Sequence, residues 1–184
     1  FDKSKESYFE DLLTNQLPQV ISQGIAKWAD VFCEPGWYNL EQTEEIVRAA
    51  SKSNLPSRLH VDEFVDSGGL ALAAELGCVS GDHVGYSSDD ARSMANNVGC
   101  MQTFLPGTPY ILGKELILPL RECVENNWAF SLATDFNPNY NSLSIPFVGS
   151  LATHRLGLEP LEALIAVTRN PASTLFKKDD NHIS

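Results

Sequence analysis

The sequence predicts an α/β domain in which βα units surround a parallel sheet. Short β-branched or aromatic runs alternate with longer segments of helical spacing along most of the chain. The short runs begin roughly 20 to 29 residues apart, room enough for the crossover helix that parallel strands require. No repeat, low-complexity tract or linker interrupts the alternation, so one compact unit is expected. The runs give five strands: Ala29–Cys33, Arg58–Glu63, Cys78–Asp82, Cys100–Leu105 and Trp128–Thr134.

The helices follow from spacing and caps. At the front, Phe9, Leu13, Leu17, Val20 and Ile21 recur at helical intervals. Asn39 followed by Leu40, Glu41 and Gln42 resembles a capping box, after which Ile46, Val47, Ala49 and Ala50 make an apolar face. Ser67 is placed to cap Gly68–Leu76 with Gly77 as the stop, and Ser88 to cap Asp89–Val98 with Gly99 as the stop. Leu116–Asn126 reads as a helix with Pro119 in its first turn. Two more helices are expected over Leu143–Leu156 and Leu161–Val167, and Asn170-Pro171 starts a short third one.

With 184 residues, 43% hydrophobic and 20% charged, the chain has the material for a sizeable core, which excludes disorder and collagen-like structure. No apolar run approaches the roughly 18 residues of a membrane span, and FDKSKESYFEDL has neither the basic start nor the apolar centre of a secretion signal. The chain starts at Phe1 without an initiator methionine, which suggests trimming. Its 24 acidic and 13 basic residues give a net charge of −11, so no nucleic acid and no anionic membrane surface is expected as a partner. A small-molecule substrate or a protein suits it better. Cys33, Cys78, Cys100 and Cys123 form no CxxC pair and lie in or beside apolar runs, as reduced, partly buried thiols of a cytoplasmic protein do.

Five strands in 184 residues fall short of a closed (β/α)8 barrel, which needs eight strands and about 250 residues. The sheet is therefore either open and doubly wound, or the later part of a barrel. Neither GxGxxG nor GxxxxGK[ST] occurs to favour the open sheet.

In both architectures ligands bind at the carboxyl ends of the strands. Those ends carry Cys33-Glu34, His60-Val61-Asp62-Glu63, Asp82-His83, Leu105-Pro106-Gly107 and Thr134-Asp135-Phe136-Asn137. Two of the four histidines fall there beside carboxylates, whereas His154 and His182 do not. Imidazole and carboxylate converging on one rim is what a divalent metal and its activated water require, although a lone strand histidine is more often a satisfied core residue. Glu34 and Asp62 are read as solvated loop carboxylates or helix caps. His60 and Glu63 reach one mouth only if the strand ends near Val61, because an offset of three in an unbroken strand points to opposite faces.

These residues also carry a resemblance. The segments ADVFCE (29–34), RLHVDEF (58–64), GGLALAAELGCVSGDHV (68–84), LPGTPY (105–110) and SLATDFNPN (131–139) resemble, in order, the later part of the imidazolonepropionases, metal-dependent amidohydrolases of histidine degradation. The resemblance runs from about Leu13 to Leu175. It implies a distorted TIM barrel with one zinc or iron ion in its mouth, of which these strands are the fourth to eighth. It also implies hydrolysis of 4-imidazolone-5-propanoate to N-formimino-L-glutamate by a metal-activated water, and commonly a homodimer. Carried over by position, His60 and Asp135 bind the metal, Glu63 contacts substrate and water, His83 stands beside the water as a catalytic residue, and Asn137 binds substrate.

On this reading residues 1–184 are a single partial barrel domain. The first barrel strands, with their HxH metal ligands, and the family's β-sandwich are absent, as are the upstream arginine, tyrosine and histidine that bind substrate. The arginines at 48, 58, 92, 121, 155 and 169 lie in expected helices or at strand starts, so none is assigned to the propanoate carboxylate. Pro138-Asn139-Tyr140-Asn141 is given no role. Two other functions fit the same residues: another amidohydrolase, such as a purine or guanine deaminase, against which FNPN and HVDEF speak, or a catalytically incomplete structural piece that needs its missing half.

Overall fold

The computed structural model describes residues 4–175; Phe1 and His182 lie outside them. The chain opens with α1 (Lys5–Asp11), a wide π-type turn over Leu12–Gln16, and α2 (Leu17–Gln23), which ends where Gly24 takes φ 66°. Of the residues at helical spacing Phe9 and Leu13 pack on the core, with Leu12 beside them, whereas Val20 is exposed. Then follow β1 (Ala29–Cys33), α3 (Leu40–Ser51), β2 (Ser57–Val61), α4 (Gly69–Glu75), β3 (Ser80–His83), α5 (Asp89–Val98) and β4 (Met101–Phe104). The rest comprises α6 (Gly107–Ile111), α7 (Leu120–Glu125), β5 (Phe130–Leu132), α8 (Ile145–Leu156), α9 (Pro160–Val167) and α10 (Arg169–Ala172). Among the described residues no helix is long and apolar enough to cross a membrane.

The five strands lie in the order β1-β2-β3-β4-β5, and every neighbouring pair is parallel. A doubly wound sheet reverses strand order at a switch point. Here the order never reverses, so the units are consecutive units of a barrel wall, and all five strand ends share one rim. On β2 the two faces separate cleanly: Ser57, Leu59 and Val61 are buried under the helices, while Arg58 and His60 stand on the half-open inner face. That inner face borders a cavity of about 280 Å³ that His60, Asp82, Thr103, Ser131 and Asp135 help to line. The core between sheet and helices includes Val31, Leu59, Leu70, Ala95, Phe104, Leu120 and Val148, and the four cysteines are free and buried.

Local chemistry accounts for the elements and for three departures. The capping box of α3 is real: Asn39 Oδ1 accepts from the Gln42 amide at 2.8 Å and Gln42 Oε1 accepts from the Asn39 amide at 3.2 Å. Ser88 caps α5 and Gly99 ends it. Ser67, however, does not cap α4. The cap residue is Gly68, and the first amides of that helix are met by Asp62 from the end of β2, a partner outside the local pattern. Helix α7 starts at Leu120 rather than Leu116, because the residue before a proline is kept out of helical conformation and Pro119 therefore stands at the cap. Helix α6 was not expected; it forms where Gly107 lies so close to the Tyr140 ring that a Cβ would collide with it.

Candidate functional site

The strand-end condition on His60 and Glu63 is met. β2 stops at Val61, and Asp62 turns the chain with φ 54°, a left-handed conformation uncommon outside glycine. Asp62 is completely buried rather than solvated. Its Oδ1 accepts from the Ser67 amide, the Ser67 hydroxyl and the Gly69 amide at 3.0, 3.0 and 3.2 Å, and its Oδ2 from the Leu70 amide and the Ser87 hydroxyl at 3.2 and 2.6 Å. Asp62 is thus the cap of α4 and the pin between the loops that follow β2 and β3. Glu34, also read as solvated or capping, is buried instead, with Oε1 accepting from the Glu63 amide at 2.6 Å. It holds the backbone of the residue that faces the mouth.

His60 projects from the inner face, with Nδ1 2.9 Å from Asp30 Oδ1 and its ring edge-on to Phe32. Burial works against charge on this imidazole, but the hydrogen bond and charge of Asp30, with Asp82 and Asp135 beyond, outweigh it and raise its pKa. With Nδ1 engaged by Asp30, Nε2 is the atom His60 presents to a ligand, the arrangement in which a carboxylate orients a metal-binding histidine. Asp30 has no signal in sequence. It becomes visible only once the register pairs Phe32 with His60 and sets Asp30 one inward position earlier on the neighbouring strand.

His83 closes β3 with φ 76° and is followed by Val84 at φ 47°. Its ring lies 5.5 Å from that of His60, centroid to centroid, and its Nε2 is 3.6 Å from Glu63 Oε2. Burial pushes His83 down to about 4, against the pull of Asp135. Burial pushes Glu63 up to about 7, reinforced by the charges of Asp135 and Glu34 and opposed by Lys114 and His60. The imidazole is thus driven towards its neutral form and the carboxyl towards its protonated one. Their contact, though within ion-pair distance, is a proton donor and acceptor side by side.

Asp135 follows β5 at φ 59° and accepts a hydrogen bond from the Thr108 hydroxyl of α6. Asn137 closes the same turn: Nδ2 donates to the Asp135 carbonyl at 2.8 Å, and Oδ1 accepts from the Asn139 and Tyr140 amides at 2.8 and 3.2 Å. Asp82 lies deeper in the lumen, where burial raises its pKa and its Oδ1 has no hydrogen-bond partner among the described residues. His154 sits in the last turn of α8, apart from this rim. A second cavity, of about 400 Å³, opens beside Glu63 and His83 and is bordered by Thr108 and Lys114. Arg58, the arginine on the inner face of β2, is spent at its lower end on Ser80 and Thr174.

As a metal site the rim is incomplete. His60 and Asp135 border one cavity and have suitable donors, but among the described residues no group of three or more histidine, cysteine or carboxylate side chains could hold an ion. Catalytic metal sites ordinarily use at least three protein ligands.

Curated imidazolonepropionases match almost the whole chain. That of Desulfotalea psychrophila is 38% identical over 175 residues, covering 95% of this chain and 42% of its own length. This sequence is imidazolonepropionase-like. The chain spans about two fifths of the length of the curated relatives it matches. No family model matches it. Among solved structures it superposes on the adenine deaminase of Arthrobacter aurescens with a TM-score of 0.74 at 16% identity, covering 97% of this chain and 54% of that one. On a zinc-bound adenosine deaminase of Xanthomonas campestris the TM-score is 0.67 at 16% identity, over 94% of this chain and 44% of that one. At such identity these two carry the fold alone, that of consecutive βα units of a barrel.

Proposed function

We propose that this chain forms the proton-handling side of an imidazolonepropionase site, where water opens the imidazolone ring of 4-imidazolone-5-propanoate to give N-formimino-L-glutamate. One observation carries the reading: Glu63 and His83 face each other at 3.6 Å, with the carboxyl pushed up to about 7 and the imidazole down to about 4, on the rim that His60 and Asp135 share. Two neighbouring groups whose environments drive their affinities for protons apart make an acid and base couple at neutral pH.

A zinc or iron ion, when bound, supplies the electrophilic activation of water and ring carbonyl that such hydrolysis needs. This chain offers it His60 and Asp135, and among the described residues no third donor joins them. The zinc in the Xanthomonas adenosine deaminase supports a metal here without deciding which metal.

The chain's own residues then divide the work. Glu63, as carboxylate, takes the proton from the attacking water; as carboxylic acid, it returns that proton to the ring nitrogen as the C–N bond breaks. His83, neutral and fixed beside it, gives or accepts a hydrogen bond without adding a charge that would hold Glu63 ionised. Asp30 fixes the His60 ring. Asn137 has a second N–H on Nδ2 beyond the one given to Asp135, and that hydrogen is what it offers to substrate. Four free, buried thiols suit a cytoplasmic setting.

The test is turnover of 4-imidazolone-5-propanoate by the protein as the cell makes it, followed as formation of N-formimino-L-glutamate, with metal content measured alongside. Glu63→Gln is expected to leave the metal and lower turnover by roughly 10²- to 10⁴-fold. His60→Ala is expected to lose metal and turnover together. Absence of turnover in the wild type, or near-normal turnover in Glu63→Gln, would refute the reading. The donor set among the described residues favours a narrower statement: they form one side of the site.

A further inference from the structure

Arg92 is among the most completely buried side chains of the protein, at 1% exposure, and nothing in the proposed chemistry uses it. A buried guanidinium is costly unless its donors are met. Here one terminal nitrogen donates to the Val84 carbonyl at 2.6 Å and reaches the Gly85 carbonyl at 3.5 Å. The other donates to Gln102 Oε1 at 3.1 Å, and Gln102 Nε2 returns a bond to the Arg92 carbonyl at 3.3 Å. The plane lies over the Phe104 ring, 5.4 Å from its centroid. The charge is therefore held by an amide and an aromatic face and aimed at two consecutive carbonyls.

Those carbonyls belong to the turn that follows His83. His83 and Val84 both take left-handed backbone conformations, at φ 76° and 47°, and for a β-branched valine this is a conformation the surroundings must impose. Three bonds tie the turn to β2 and its loop: the Val84 amide to the Val61 carbonyl at 3.0 Å, the Tyr86 amide to the Asp62 carbonyl at 3.1 Å, and the Ser87 hydroxyl to Asp62 at 2.6 Å. Arg92 is what holds the turn's carbonyl side.

We infer that Arg92 is a positioning residue: by gripping the Val84 and Gly85 carbonyls it sets the turn that aims His83 at Glu63. Its consequence for turnover rests on the function proposed above, whereas its consequence for the His83 ring does not. Lysine in its place offers one ammonium to two carbonyls, and methionine offers no donor at all.

The experiment follows the ring Hε1–Cε1 signals of His83 and His154 by NMR in the protein with Arg92→Met and Arg92→Lys, with circular dichroism to confirm the fold. In a folded Arg92→Met the His83 signal is expected to shift or split while that of His154, remote in α8, stays in place, and Arg92→Lys is expected to give a smaller change in the same direction. If Arg92→Met fails to fold, Arg92→Lys carries the test. An unmoved His83 signal in the folded variant overturns the inference. Where the protein turns over 4-imidazolone-5-propanoate, the same variants are expected to lose kcat by about 10- to 100-fold with KM within about threefold, the signature of a misplaced group. Inactivity of the wild type would count against the proposed function and leave the NMR result to decide on Arg92.

Discussion

Replacing Glu63 by glutamine separates two consequences of its position, one catalytic and one thermodynamic, and the second can be worked out from the structure. Burial, then the charges of Asp135 and Glu34, raise this carboxyl from 4.5 to about 7. Its side chain is only 16% exposed, so solvent screens these effects little. The folded pKa lies above the unfolded one for an acid, so ionisation opposes folding. The cost is absent below 4.5, grows as pH rises between 4.5 and about 7, and is complete above about 7. At about 1.36 kcal/mol per pKa unit, the full cost is about 3 kcal/mol, most of which develops between pH 5 and pH 8. Glutamine keeps the shape and cannot ionise. Urea unfolding of the metal-free protein at the two pH values should show the wild type losing about 2 to 3 kcal/mol more than Glu63→Gln between them, and Glu63→Gln should be the more stable at pH 8. Curves that change in parallel, within about 1 kcal/mol, would mean that Glu63 is hydrated in solution with an ordinary carboxyl's affinity for protons, and its return of a proton near neutrality would lose its physical basis.

Asp62→Asn replaces an acceptor of five hydrogen bonds by a group whose NH2 end must face N–H and O–H donors; a loss of about 2 to 4 kcal/mol is expected in urea unfolding, with faster amide exchange at Gly69 and Leu70 at the head of α4. Gly107→Ala places a methyl into the Tyr140 ring and should cost about 1 to 3 kcal/mol, unless that ring swings out, in which case Tyr140 fluorescence and accessibility change while stability does not.

How much of this was legible in sequence depends on how far apart the interacting residues lie. The cap of α3 is written in four consecutive residues, Asn39 to Gln42, and was readable; so were Ser88 and Gly99 around α5. The strand ends were readable because β-branched and aromatic runs stop at polar residues, which put His60, His83 and Asp135 on one rim before any register was known. What could not be read were bonds between strands and loops. Ser67 has the composition of a cap, yet Asp62 takes the helix because the end of β2 brings its side chain to the Gly69 and Leu70 amides. Asp30 looks like any strand aspartate until β1 and β2 are aligned. Glu34 resembles a loop carboxylate, and only the fold shows it buried against the Glu63 amide. The pairing of Arg92 with Val84 likewise needs the turn geometry after β3.

The placement of backbone strain argues that this rim is built rather than incidental. Six residues other than glycine have positive φ among those described: Asn54, Asp62, His83, Val84, Asn127 and Asp135. The two asparagines lie in connecting turns, where asparagine tolerates this region at little cost. The other four follow or end β2, β3 and β5 at the rim, and His83 and Val84 in particular gain nothing from the conformation by themselves. Each is over-determined from outside: Asp62 by five donors, Val84 by Arg92 and the Val61 carbonyl, Asp135 by Thr108 and the Asn137 amide. A fold that needed only to connect these strands to their helices would use glycine or asparagine at such points. Holding histidine, valine and aspartate there instead fixes the directions of His83 and Asp135 at the rim. Strain of this kind persists where surrounding structure is organised to keep it, and it is found disproportionately where side chains must be aimed.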